Sequence, residues 1–262
     1  MNRTAVSFLP TIPYPEIEKP KLAVLEKLFQ AWHHSFDSAL SPKVADAMVF
    51  DGFYPHYFGQ RKRVLFIAWE SRQISGRNYL DVLYPSYRKT KRIGRTRHLN
   101  QDKFHSRLIR IAWGINHGMK PWQEVPPASV IGDSFGAEHG LSFAFMNVSK
   151  LSNESDRHTA DRETINTAYR LSTHQRNFVS EEVAAFEPHI VITMNLQDKL
   201  AALGSLTRIE PSGAVRSFWL ESGGHRSLLI DGFHFAARKK AAADFYEPIC
   251  EAIRRSESNT EH

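Results

Sequence analysis

The chain has 262 residues, 42% hydrophobic and 24% charged, a balance that excludes global disorder and allows one large domain with a sizeable core. Its formal net charge of +6 excludes an acidic, solvating role and suits a polyanion partner wherever the cations cluster. One cysteine, Cys250, excludes an intramolecular disulfide and a cysteine-based zinc site, and no apolar run reaches the ~18 residues of a membrane helix. A cytoplasmic protein in a reducing compartment is expected, with no membrane partner, and a monomer.

The elements follow in order. Pro10, Pro13, Pro15 and Pro20 mark an irregular leader. Leu22, Leu25, Leu28, Phe29 and Trp32 then share one face of a helix, Pro42 interrupts it, and a helix-like stretch spans residues 44–49. Residues 1–50 read as an N-terminal helical extension. Val64-Leu65-Phe66-Ile67-Ala68-Trp69 is a continuous apolar run, the mark of a parallel strand buried on both faces, and it ends in Glu70-Ser71-Arg72. A helix is expected over residues 104–115, and a second strand over 141–146 runs into Asn147, Val148, Ser149 and Lys150.

One or two helices fill residues 160–186, and Ile190-Val191-Ile192-Thr193-Met194 forms a third strand after Pro188. Short strands at residues 217–220 and 228–230 lead to Gly232-Phe233-His234, and a closing helix over 238–254 is disturbed at Pro248. Strands alternating with helices predict a single-domain α/β/α sandwich with a mainly parallel central sheet. Cys250 lies in the apolar pattern of the last helix and reads as a buried structural thiol.

Three polar residues, Glu70, Asn147 and His234, each follow an apolar strand. In open α/β sheets, ligands bind outside the carboxyl ends of such strands. At these residues the sequence resembles the uracil-DNA glycosylase superfamily. The match lies in Leu65 to Arg72, in Phe143-Ala144-Phe145-Met146-Asn147-Val148-Ser149-Lys150, in Phe186-Glu187-Pro188-His189-Ile190-Val191-Ile192, and in Gly232-Phe233-His234-Phe235-Ala236. The four motifs stand in the family's order over roughly residues 50–250.

The resemblance implies a uracil-DNA glycosylase-like fold and a monofunctional DNA glycosylase that flips a base and hydrolyses its N-glycosidic bond. Glu70 would stabilise the sugar cation and orient water, as carboxylates do at oxocarbenium-like centres. His234 would stabilise the departing base. Asn147 would read the base edge with its amide, and Tyr79 would stack on the base. Arg72, Gln73, Ser149 and Asn153 stand beside the motifs as polar partners. Two departures from the family pattern, Ser71-Arg72 in place of a Pro and Phe235-Ala236 in place of Pro-Ser, point to a base other than plain uracil.

Arg88, Lys89, Lys91, Arg92, Arg95, Arg97 and Lys103 fill residues 88–103 with Asp102 as the one acid, a composition suited to phosphate contacts and a loop around Gly94. Lys150 joins them as a candidate DNA contact. Some family members excise bulky glucosylated bases from phage DNA in bacterial defence. The altered motifs and basic insert are compatible with that group. Uracil repair and a non-catalytic nucleic-acid-binding module are the alternatives. No metal and no cofactor are expected, since the histidines lack paired metal spacing with acids or cysteines.

Overall fold

The structure, a computed structural model, describes residues 7–94, 96–155, 159–210, 214–237 and 241–258. Its first half contains α1 (Lys19–Ala39), α2 (Pro42–Ala45), β1 (Gly52–Phe53), β2 (Val64–Ala68), α3 (Tyr79–Pro85), β3 (Arg92–Ile93), β4 (Arg97–His98), α4 (Lys103–Asn116) and α5 (Ala128–Ile131). Then come β5 (Ala144–Asn147), α6 (Arg162–Thr173), α7 (Phe178–Phe186), β6 (Ile190–Met194), β7 (Ser205–Ile209), β8 (Arg216–Ser222), β9 (His225–Gly232) and α8 (Ala243–Ser258).

The continuous apolar runs became the central strands for the reason they were legible: both of their faces are covered. Every residue of β2, β5 and β6 is buried. The seven-stranded sheet runs β1-β5-β2-β6-β9-β8-β7. The four middle strands, β5, β2, β6 and β9, are parallel, and antiparallel strands flank them on both sides. The chain is thus a mixed α/β fold with helices on both faces of one sheet. No helix among the described residues is long and apolar enough to cross a membrane.

One face packs Phe66, Phe143, Phe145, Ile192 and Ile230 against α3, α4, α5 and α8. Gly114 allows α4 to approach α8 there, because a Cβ at that position would lie 2.3 Å from the Tyr246 hydroxyl. The opposite face packs Leu65, Ile67, Met146, Val191 and Leu229 against α1, α6 and α7. The expected N-terminal extension is more than that over its described residues: Leu25, Leu28, Phe29, Trp32 and Phe36 of α1 are buried in that second layer. Pro42 does not break a helix but starts one, at the first position of α2 behind the Ser41 cap.

Strand order sets the site. The connection from β2 goes to β5 on one side, and the chain then crosses to β6 on the other. The reversal leaves a crevice at the carboxyl ends of β2 and β6, the usual ligand position in such sheets. Register aligns Ala68 with Asn147, Ile67 with Thr193, and Met194 with Gly232. The ends of β5, β2, β6 and β9 therefore form one row, roughly 14 Å across at the usual strand spacing.

Candidate functional site

Glu70 leaves the end of β2 and is partly buried. Its Oε1 accepts from Asn153 Nδ2 at 3.0 Å and from the Asp161 backbone N–H at 3.2 Å. Its Oε2 is buried with no hydrogen-bond partner among the described residues. Burial raises the Glu70 pKa above the usual carboxylate range, against the lowering effect of the two donors. Asn153 is itself held: residues 147–153 run beside 68–73, with Ser149 N–H donating to Trp69 O and Asn153 N–H to Ser71 O. Trp69 is tied to the neighbouring strand, donating from Nε1 to Met194 O at 3.2 Å, with the Arg162 guanidinium 4.6 Å from its ring.

Asn147 ends β5 and is 2% exposed. Its backbone N–H donates to Asp51 Oδ2 at 2.7 Å, and its Nδ2 faces the same oxygen at 3.5 Å. Its Oδ1 is buried and unpartnered among the described residues. The Ser71 hydroxyl is in the same condition. Buried polar atoms are nearly always paired, so three orphans on adjacent strand ends call for an explanation, and a ligand is one.

Two expected contacts are corrected here. Lys150 cannot touch DNA: its side chain is fully buried, with Nζ 2.5 Å from Asp51 Oδ1 and 2.7 Å from Glu182 Oε2, beneath the ring of Trp32 at 4.9 Å. Desolvation alone would lower its pKa, but the two carboxyls outweigh it and hold the ammonium above the ordinary lysine range. Burial drives Glu182 above the usual carboxylate range, against the lowering effect of the Lys150 ammonium beside it. Ser149 is also fully buried, and its hydroxyl donates to Leu151 O at 3.0 Å and accepts from the Leu151 N–H at 3.3 Å, so its proton is spent within its own turn.

An aromatic row links the two ends of the edge. Tyr79 is stacked on Phe145 at 4.7 Å and 8°. Phe145 meets Phe104 edge-on at 6.2 Å, and Phe104 stacks on His234 at 5.5 Å. Tyr79 is therefore a buried core ring rather than a free platform, while Phe104, at the first turn of α4, is partly open beside His234.

His234 follows β9 with its edge exposed. Its Nδ1 accepts from the Ala236 N–H at 3.2 Å, so in the neutral ring the proton sits on Nε2, which has no partner among the described residues. Desolvation of the ring lowers its pKa and keeps the imidazole neutral. Arg107 of α4 fixes this loop by donating to the carbonyls of Phe235 and Ala237 while its guanidinium lies 4.0 Å from the Phe245 ring. A cleft of about 590 Å³ opens at the ends of β6 and β9, lined by Asn195, Gln197, Arg216, Asp231 and Phe233. Asn195 and Gln197 hold φ of 60° and 55°, a left-handed backbone typical of functional turns.

The basic segment is not one uniform loop. Around Gly94 (φ 62°), β3 and β4 form a small antiparallel hairpin that leads through Asp102 into Phe104. Lys89, Arg92, Arg97 and Lys103 are exposed. Arg97 also reaches Asp102 at 3.2 Å while its side chain stays 64% exposed. Arg88 and Lys91 are diverted inward: Arg88 donates to Tyr84 Oη and Phe135 O, and Lys91 to Tyr87 O and Asp133. Arg95 lies outside the described residues. Arg72 is exposed at the rim and donates to Ser155 O at 3.2 Å.

Asp51, Phe104 and Arg107 are the site residues that the sequence did not announce, whereas Asn153, expected as a polar partner beside the motifs, is placed on Glu70. Asp51 sits in no motif, and Phe104 and Arg107 lie in an ordinary amphipathic helix. Among the described residues, no group of three or more His, Cys, Asp or Glu side chains is placed to hold a metal. No family model matches the chain, and no curated protein matches it in sequence.

Proposed function

We propose that this protein is a monofunctional DNA glycosylase that takes an extruded base at the carboxyl edge of its sheet and hydrolyses the N-glycosidic bond. The observation that carries this reading is the set of unspent groups on one edge: Glu70 Oε2, Asn147 Oδ1 and His234 Nε2. In the reaction, the C1′–N bond breaks and its electron pair leaves with the base. Water adds to C1′ and gives its proton to Glu70. A carboxylate with a raised pKa is a better base than an ordinary one, and its charge stabilises the developing sugar cation. His234 donates a hydrogen bond from Nε2 to the departing base, which a neutral ring does without losing a proton. Asn147 holds the base edge. The exposed cations of the β3–β4 hairpin, which runs directly into Phe104, take the phosphates.

The base is a modified one in this reading. Ser71 stands where the family has Pro, and it puts an additional unpaired hydroxyl at the edge. The test is a panel of DNAs carrying uracil, hypoxanthine, hydroxymethylcytosine and glucosylated hydroxymethylcytosine, followed by alkaline cleavage at abasic sites. Abasic sites from a modified base, and none after Glu70→Gln, are expected. No abasic sites from any member, or equal release by the Glu70→Gln protein, overturns the reading; brisk release of uracil alone restores a repair function.

A further inference from the structure

Asn147 carries a donor half and an acceptor half, and the structure spends them unequally. Asp51 Oδ2 already accepts the Asn147 backbone N–H at 2.7 Å, so it is an acceptor aimed at this residue. The amide therefore turns its Nδ2 toward that oxygen, at 3.5 Å, because the opposite flip would set two acceptors face to face. The amide carbonyl Oδ1 is what remains, buried and without a partner among the described residues.

Asp51 is fixed in turn. Its Oδ1 lies 2.5 Å from Lys150 Nζ, and Lys150 is 2.7 Å from Glu182 Oε2 in the fully buried trio. With Phe29 and Trp32 packed over the ammonium, no water competes for these groups. The chain of contacts runs from α7 through Lys150 and Asp51 to the end of β5.

Resting on the base-reading role given to Asn147, we infer that Asp51, held by Lys150, is a positioning residue that locks the Asn147 amide with its acceptor outward, so that the site selects a base presenting an N–H donor. The ligand class is a nucleobase with an exocyclic amino group or a ring imide N–H at its pairing edge. A base with acceptors alone leaves Oδ1 unpaired. An unpaired buried acceptor costs enough to reject a ligand by about tenfold or more.

The experiment uses the whole protein and small bases, so it needs no catalysis. The probes are 1-methylcytosine and 1-methyluracil, which carry a donor, and 1-methylpyrimidin-2-one, which is smaller and carries none, so that steric exclusion cannot explain its rejection. Binding is followed by NMR titration, with the Asn147 side-chain amide resonance as the local reporter. The first two should bind and shift that resonance, with 1-methylpyrimidin-2-one at least about tenfold weaker. In Asp51→Asn, Lys150 keeps the Glu182 carboxyl at 2.7 Å as a partner, the Asn147 amide is free to turn, and the preference should shrink to about threefold or less.

Equal binding of the three probes by the wild type, or no shift of the Asn147 resonance with any of them, overturns the inference. Should Asp51→Asn fail to fold, the wild-type preference still decides the donor selection. An Asp51→Asn protein that keeps the full preference removes Asp51 from its positioning role. Donor selection without abasic sites from any DNA would sink the hydrolysis reading and leave this one standing.

Discussion

Replacing Lys150 with Met tests the buried trio most directly. The substitution keeps an unbranched apolar stem in contact with Trp32 and Phe29 but removes the cation between Asp51 and Glu182. Burial already raises the Glu182 pKa, so the loss of the cation falls mainly on Asp51. Asp51, fully buried on its side chain, is left as an uncompensated carboxylate that keeps the Asn147 N–H as a donor. Removing one partner of a buried pair in this way costs about 3–5 kcal/mol. For a chain of this size, that loss lowers Tm by roughly 6–20 °C. Urea unfolding should show the midpoint falling with an unchanged slope. The double variant Lys150→Met with Asp51→Asn removes both charges together and should regain at least half of the loss, since the two sites are coupled. A single substitution costing under about 1 kcal/mol, or a double variant that simply adds a second penalty, would refute this account of the trio. Because Lys150 touches no solvent, the folded Lys150→Met protein should keep the wild-type salt dependence of DNA binding.

Glu70→Gln should cut single-turnover excision by orders of magnitude with little change in DNA affinity, and an unchanged rate would remove Glu70 from the chemistry. Because burial raises the Glu70 pKa, the wild-type rate should fall with decreasing pH at a higher pH than the ordinary value of 4.5 would give, and that limb should vanish in the variant. The sign for stability is opposite: a raised folded-state pKa contributes stability below the unfolded pKa and loses it as pH rises through the folded one, so Glu70→Gln should raise Tm at about pH 8 and not at about pH 4. His234→Ala removes one donor at the developing anion and should slow excision by about 10²–10³, while a loss under threefold would exclude the role. Replacing Lys89, Arg92 and Arg97 with Ala should reduce the slope of log K against log salt by up to ~0.9 per lost phosphate contact. Arg88→Ala and Lys91→Ala should leave that slope unchanged and lower Tm instead, because both side chains are spent on partners within the protein.

The central strands were legible because burial on both faces leaves a continuous apolar signature, and Val64–Ala68 and Ile190–Met194 show it in full. β7 was not, since its exposed and half-buried residues carry no such run, and α3 and the β3–β4 hairpin are too short for periodicity to register. Glu70, Asn147 and His234 could be placed at strand ends from the order of residues alone.

What the sequence determined by itself is therefore the set of faces: which stretches must be covered, which ends are polar, and where cations gather. The tertiary structure decided the partners. Lys150 reads in sequence as one more cation near a basic segment, yet packing places it between Asp51 and Glu182, 99 and 32 residues away in the chain. Lys91 and Arg92 are neighbours in a basic run, and the left-handed turn at Lys91 sends one side chain to Asp133 and leaves the other in water. Hydrophobic burial is a property of each residue and its local period, so a sequence displays it; a charge or hydrogen bond belongs to a pair, and its second member is chosen only when the sheet brings distant strands together.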